Sequence, residues 1–215
     1  MKNVIKKAEK FVRARLAKEG TGHDWWHIER VRRNARLICK SEKADLLVVE
    51  LAALLHDVGD RKVIQEEEDD HSMAEKFLTG QGIDSGVVEQ VMHIIKNMSF
   101  SKSLRRKKNS EPVEFQIVQD ADRLDAVGAI GIARAFAFGG REERMLYDPT
   151  ENAATFRSTK GYRNLKSSSL HHFEEKLFHL KDLMNTRGAR RIARARHNYM
   201  KNYYRQFLAE WNGRR

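Results

Sequence analysis

The string Leu54-Leu55-His56-Asp57-Val58-Gly59-Asp60 sets two metal-ligating residue types at the end of an otherwise apolar run. An ionised carboxylate there is costly to bury unless a cation or strong hydrogen-bond donors meet it. On its own the His-Asp pair is better explained by helix capping and hydrogen bonding. Two further residues turn it into a constellation. His27 opens the segment His27-Ile28-Glu29-Arg30-Val31 on one face of an earlier helix, and Asp122 stands within Gln119-Asp120-Ala121-Asp122-Arg123-Leu124-Asp125 on a later one. Three helices can thus each deliver ligands to one point. Two imidazoles and two carboxylates suit one divalent transition metal ion (Mn, Fe, Ni, Zn or Co) and leave coordination sites for water and a substrate oxygen.

Such an ion lowers the pKa of bound water from about 15.7 toward about 7, worth roughly 11 kcal/mol. A positioned general base adds about 10²- to 10⁴-fold, only some 3–5 kcal/mol, so the ion carries the larger share. Asp60, one turn beyond His56, is the candidate general acid/base, against a competing role in ending the helix beside Gly59. His23 lies four residues before His27 on the same face and can donate to a phosphate oxygen or make a structural hydrogen bond. Phosphate chemistry also calls for cations, and Lys62, Arg123, Arg134, His172 and Lys176 are the candidates. Asp125 shares a helix face with Asp122 and can face the metal's surroundings or the substrate, whereas Asp120 points elsewhere and reads as surface charge. Trp25 and Trp26 read as helix packing, with a base-binding ring as the alternative.

The elements that must position these residues are helices. Apolar residues recur at helical spacing through most of the chain, and strand-like alternation is nearly absent, which predicts an all-α protein. Val4, Ala8, Phe11 and Val12 mark a first helix; a second spans about Trp25 to Cys39 with Asp24 as cap; a third runs from about Lys43 toward Gly59. Further helices are expected at about 70–79, 84–97, 111–138 with a break near Gly128 or Gly131, 167–184 and 187–211. Loops are expected at 99–110 and 139–166.

The 215 residues fit one domain, residues 1–215, with a helical core at about 20–135 and a C-terminal helical extension at about 165–212. One cysteine, Cys39, excludes an internal disulfide and a cysteine-based zinc cluster, and suits a reducing cytoplasm. No run of about 18 apolar residues offers a membrane span, and residues 1–19 lack the apolar stretch of a signal peptide. The net charge of +11 favours anionic partners: a small phosphate substrate such as a nucleotide first, nucleic acid as the alternative. The basic runs are 102–108, 187–196 and the terminal Arg214-Arg215. A monomer and a homodimer are both compatible with the chain.

His27, His56-Asp57 and Asp122 in Ala121-Asp122-Arg123-Leu124 resemble the H…HD…D signature of the HD-domain phosphohydrolase superfamily. The likeness extends to Gly22-His23-Asp24-Trp25-Trp26-His27, to Asp120 through Ala126, and to His172-Phe173-Glu174-Glu175-Lys176-Leu177. These segments are similar to small bacterial HD hydrolases of the nucleoside triphosphate pyrophosphohydrolase type, so the resemblance spans nearly the whole chain. It implies a single helical HD-domain bundle, one divalent metal and hydrolysis of a phosphate ester or anhydride. Among Asp120, Asp122 and Asp125 it places the ligand at Asp122. Some HD enzymes hold a second metal through additional histidines, for which only His71 and His93 stand in place. Asn97 follows His93 by one turn and no His-His pair occurs, so one metal is expected, with His71 exposed near a helix start and His93 lining the pocket. The imitation of a zinc-protease helix by His23-Asp24-Trp25-Trp26-His27 fails because aspartate replaces the glutamate base. Phosphodiesterase or nuclease chemistry and a nonenzymatic nucleotide or nucleic-acid sensor are the alternatives.

Overall fold

A computed structural model of the chain describes residues 2–16, 24–60, 70–99, 111–153 and 167–214; among them every regular element is helical. The chain divides into two compact units, Met1–Asp122 and Arg123–Arg215.

The first unit is built around a helix that is enclosed beyond its first two residues. Helix α3 (Leu46–Leu55) is buried at every position from Val48 onward, which is how a helix hydrophobic all round must pack. Asp45 caps it, its carboxylate accepting from the backbone N–H of Leu47 and Val48 at 2.8 and 3.4 Å. This cap moves the helix start three residues beyond the expected Lys43. Helix α1 (Lys2–Leu16) buries Ile5, Ala8, Val12 and Leu16 at three- and four-residue steps, and packs on α3. Helix α2 (Trp25–Cys39) starts under Asp24, whose carboxylate accepts from His27 N–H at 2.8 Å, and lays Ile28, Val31, Ala35 and Ile38 against α3. A charged network fixes the rotation of these helices. Arg32 bonds Glu9 at 2.7 Å, while Arg32 and Arg36 reach Glu50 at 3.4 and 3.2 Å. Helices α4 (Ser72–Thr79) and α5 (Ser85–Asn97) follow, and α6 (Val113–Asp125) carries the boundary between the units.

In the second unit, Gly128 breaks the expected long helix: at φ +84° it separates α6 from α7 (Ala129–Arg141), and an added Cβ would press on the Arg196 side chain at 3.0 Å. The expected helix over 167–184 is instead a short α8 (His171–Glu175) followed by a 3₁₀ helix (Leu177–Leu183). Lys176, at φ −138°, interrupts the α geometry, and the tighter segment turns Phe178 onto Phe173, His197 and Tyr204. Helix α9 (Arg187–Trp211) matches its expected bounds. No helix among the described residues is long and apolar enough to cross a membrane.

Candidate metal centre

The turn after α3 carries His56 and Asp57, both almost fully buried. His27, on the buried face of α2, reaches the same point. His56 Nε2 lies 3.3 Å from His27 Nε2 and 3.3 Å from Asp57 Oδ1, and His27 Nε2 lies 3.3 Å from Asp57 Oδ2. Asp122 from α6 brings Oδ1 to 3.6 Å from His27 Nε2, with its side chain 38% exposed. His27, His56 and Asp57 are thus enclosed, and Asp122 is the more exposed member of the cluster.

Local bonding sets the ring tautomer. His56 Nδ1 lies 3.0 Å from the Ala53 carbonyl oxygen, which only accepts, so Nδ1 carries the proton and the neutral ring presents a bare Nε2 to the centre. Two ring nitrogens cannot approach so closely with opposed lone pairs; a proton or a cation has to lie between them. Ligand bonds of about 2.0–2.2 Å give donor-donor edges of about 2.8–3.6 Å in octahedral or tetrahedral geometry. The separations of 3.3 to 3.6 Å fall in that window. The donor set therefore fits one divalent ion with N and O ligands.

Two supports of this cluster escaped the sequence reading. Asn34, two turns after His27 on the buried face of α2, donates to the Ala121 carbonyl at 3.3 Å, so the helix that bears His27 grips the residue preceding Asp122. An amide among apolar positions of α2 was the available signal. The second is a clasp behind Asp57: Asp70 N–H donates to Gly59 C=O at 2.8 Å, and a Cβ on Gly59, at φ +86°, would sit 1.6 Å from the Asp70 carbonyl oxygen. Only glycine allows that approach. Two hydrogen bonds from Ser72 hold the Asp70 carboxyl below the usual carboxylate range.

Asp60 stands at the mouth of the turn, half-buried, its N–H donating to Asp57 C=O at 3.2 Å. His23 and Lys62 lie outside the described residues. In the second unit, Arg134 is paired with Asp125 at 2.8 Å and Arg123 donates to the Leu183 carbonyl. Arg196 donates to the Leu124 carbonyl; burial pulls its guanidinium below the ordinary value, and the Asp125 charge works against that shift. His172 lies in α8 and Lys176 at its C-terminal cap, both half-buried.

Three expectations need correction. Asp120 is not surface charge but fully buried, since the second half of α6 is enclosed from Ile117 through Ala121. Trp26 does not pack helices as Trp25 does: Trp25 is buried under Arg13, whose guanidinium carbon is 4.9 Å from the ring centre, whereas Trp26 is 59% exposed. His71 is half-buried rather than exposed, with Nδ1 3.4 Å from the Val58 carbonyl. Among the described residues neither His71 nor His93 joins the His27, His56, Asp57 group. His93 instead pairs with Glu111 at 2.7 Å and lines a separate cavity of about 250 Å³ with Glu89, Ile94 and Pro112.

Comparison with known proteins gives the family. Residues 25–127, which hold the whole cluster, match the HD domain family. Bacillus subtilis YpgQ is 40% identical over 205 residues, covering 94% of this chain and 92% of that protein. The crystal structure of YpgQ in complex with ADP superposes with a TM-score of 0.75, at 38% identity and 96% coverage of each chain. An HD-superfamily hydrolase from Bacillus thuringiensis gives 0.77, at 41% identity and 98% coverage of each. A Lactobacillus plantarum protein gives 0.85, at 35% identity and 99% coverage of each. The chain belongs to the HD-domain superfamily of metal-dependent phosphohydrolases.

Proposed function

We propose that this hydrolase acts on nucleotides, releasing pyrophosphate from a ribo- or deoxyribonucleoside triphosphate, with His27, His56, Asp57 and Asp122 holding one divalent ion. The observation that carries the reading is the convergence of His27, His56 and Asp57 at 3.3 Å from one another, with the more exposed Asp122 3.6 Å from His27. The nucleotide class is supported by the ADP complex of the similar YpgQ. The net charge of +11 suits a polyanionic substrate, which the field of the molecule draws in. When bound, the ion supplies Lewis acidity and a lowered pKa for water.

The chain's own residues do the rest. His56 and His27 fix the direction of attack because their rings are locked, one by the Ala53 carbonyl and the other by burial at the start of α2. Asp60, one turn on and more exposed than Asp57, takes a proton from the attacking water or returns it to the leaving oxygen. His23 and Lys62, neighbours in sequence of His27 and Asp60, are assigned to the phosphate oxygens.

The test is a panel of ribo- and deoxyribonucleotides with Mn(II), Co(II), Ni(II), Fe(II) or Zn(II), with products resolved by ion-exchange chromatography. Nucleoside monophosphate and pyrophosphate in equal amounts are expected. Orthophosphate with nucleoside diphosphate, or cleavage of diesters only, overturns the pyrophosphohydrolase reading.

A further inference from the structure

Helix α9 has a charge pattern that the hydrolytic centre does not use. Between Arg187 and Ala209 it carries seven basic residues and no acidic one. Arg196 turns toward the Leu124 carbonyl, but Arg187, Arg191, Arg194, Asn198, Lys201 and Arg205 are all exposed. Their steps of four, three, four, three and four residues align them on one face, as a straight row about 27 Å long. Among the described residues no carboxylate pairs with Arg187, Arg191 or Arg194.

A merely solvated helix face mixes its charges, because opposite pairs one turn apart stabilise the helix and like pairs destabilise it. Here Arg187, Arg190, Arg191 and Arg194 crowd the first two turns, where the helix dipole is also positive and no acidic residue offsets it. The arrangement works against the isolated helix, and an external anion with repeating charge would relieve it. A single nucleotide cannot span such a row. An anionic membrane surface would call for several apolar residues flanking the cations to enter the bilayer, and the large apolar side chains that α9 exposes are two, Tyr199 and Trp211, neither of them in the row. The major groove of B-form DNA admits an α-helix and lines it with phosphates on both sides, while the A-form groove of duplex RNA does not.

We infer that the exposed row Arg187, Arg191, Arg194, Asn198, Lys201 and Arg205 of α9 is a docking surface for duplex DNA, held through its phosphates without sequence preference.

Fluorescence anisotropy of the full chain with a labelled mixed-sequence duplex of about 20 base pairs tests this. Neutralising about five phosphates, one for each cation of the row, makes binding about 500-fold weaker between 50 and 200 mM salt. The triple variant Arg187→Gln, Arg191→Gln, Arg194→Gln, which keeps Lys201 and Arg205, should bind less tightly and lose only about 12-fold over the same range. Asn198→Glu, which adds an acid mid-row and removes no arginine, should weaken binding at least about tenfold by like-charge repulsion. Circular dichroism verifies that both variants keep the helical content and Tm of the parent. The inference is overturned if the parent does not bind at 50 mM salt or if the salt dependence of the triple variant is unchanged. It is equally overturned if duplex RNA or phosphatidylglycerol vesicles compete better than duplex DNA.

Discussion

Asn34 of α2 bonds the carbonyl of Ala121, the residue next to Asp122, so the helix that supplies His27 also sets the position of the carboxylate 3.6 Å from it. The centre is thus braced away from its donors as well as at them. Removing this brace, Asn34→Ala, leaves a buried carbonyl without that donor and should cost about 1–3 kcal/mol of stability. Metal affinity should fall as Asp122 drifts. Titration of Mn(II) followed by calorimetry, alongside denaturant unfolding, reads both; an unaltered metal Kd would show that Asp122 is held by other means.

His56→Ala and Asp57→Ala each remove a buried donor and should abolish hydrolysis. The parent at a metal concentration about 100 times Kd gains about 2.7 kcal/mol, seen as a rise in Tm. Neither variant should show that rise, and elemental analysis should find them depleted of metal. Asp122→Asn, altering the most exposed of the four donors, should bind metal more weakly yet detectably.

Asp60→Asn should keep its metal and lose about 10²- to 10⁴-fold in kcat, the usual worth of a general acid or base. Single-turnover kinetics at saturating substrate measures this directly. A drop in metal content in the same variant would reassign Asp60 to the ligand set.

Gly59→Ala and Gly82→Ala form a matched pair. Both glycines have positive φ, +86° and +64°, but a Cβ at position 82 meets nothing within 4 Å, whereas at position 59 it collides with Asp70. Gly82→Ala should cost only about 1–2 kcal/mol, the expense of the left-handed conformation. Gly59→Ala should cost more and reduce activity as well, since the turn bearing Asp57 has to shift. Thermal unfolding and initial rates on the two proteins make the comparison.

Burial pushes the His197 imidazole below its ordinary value, with Lys181 and Lys201 adding to the shift. Its Nδ1 is buried without a hydrogen-bond partner. Above about pH 6.5 the ring is neutral in both folded and unfolded chains; below it the unfolded chain binds the proton more readily, so stability falls with pH. Tm measured between pH 7.5 and 5.0 should therefore decline for the parent and decline less for His197→Asn. Parallel curves would exclude His197 as the source.

The sequence was most informative where one local rule decided the outcome. Asp24 stands directly before a periodic apolar run, and α2 starts beneath it; Gly128 interrupts another run, and the chain breaks there. His56 and Asp57 stand out because they end an apolar run, whereas His27 and Asp122 are joined to them by the resemblance to the H…HD…D signature; the structure brings His27 within 3.3 Å of both and Asp122 within 3.6 Å of His27. Tertiary packing hid the rest. Helical spacing over 167–184 gives no sign that the Phe178 contacts will draw part of the segment into a 3₁₀ helix. Nor does the helical wheel disclose that Asp120 is enclosed, because on α6 the buried arc covers consecutive residues rather than one stripe. The clasp of Gly59 on Asp70 joins backbone atoms, to which residue patterns are blind.

Since α3 is enclosed from Val48 onward, the amide hydrogens of its second half should meet solvent when the first unit opens as a whole. Deuterium uptake at Leu51 through Leu55 therefore serves as a clock for opening of the helix that leads into the ligand-bearing turn, and should follow global unfolding.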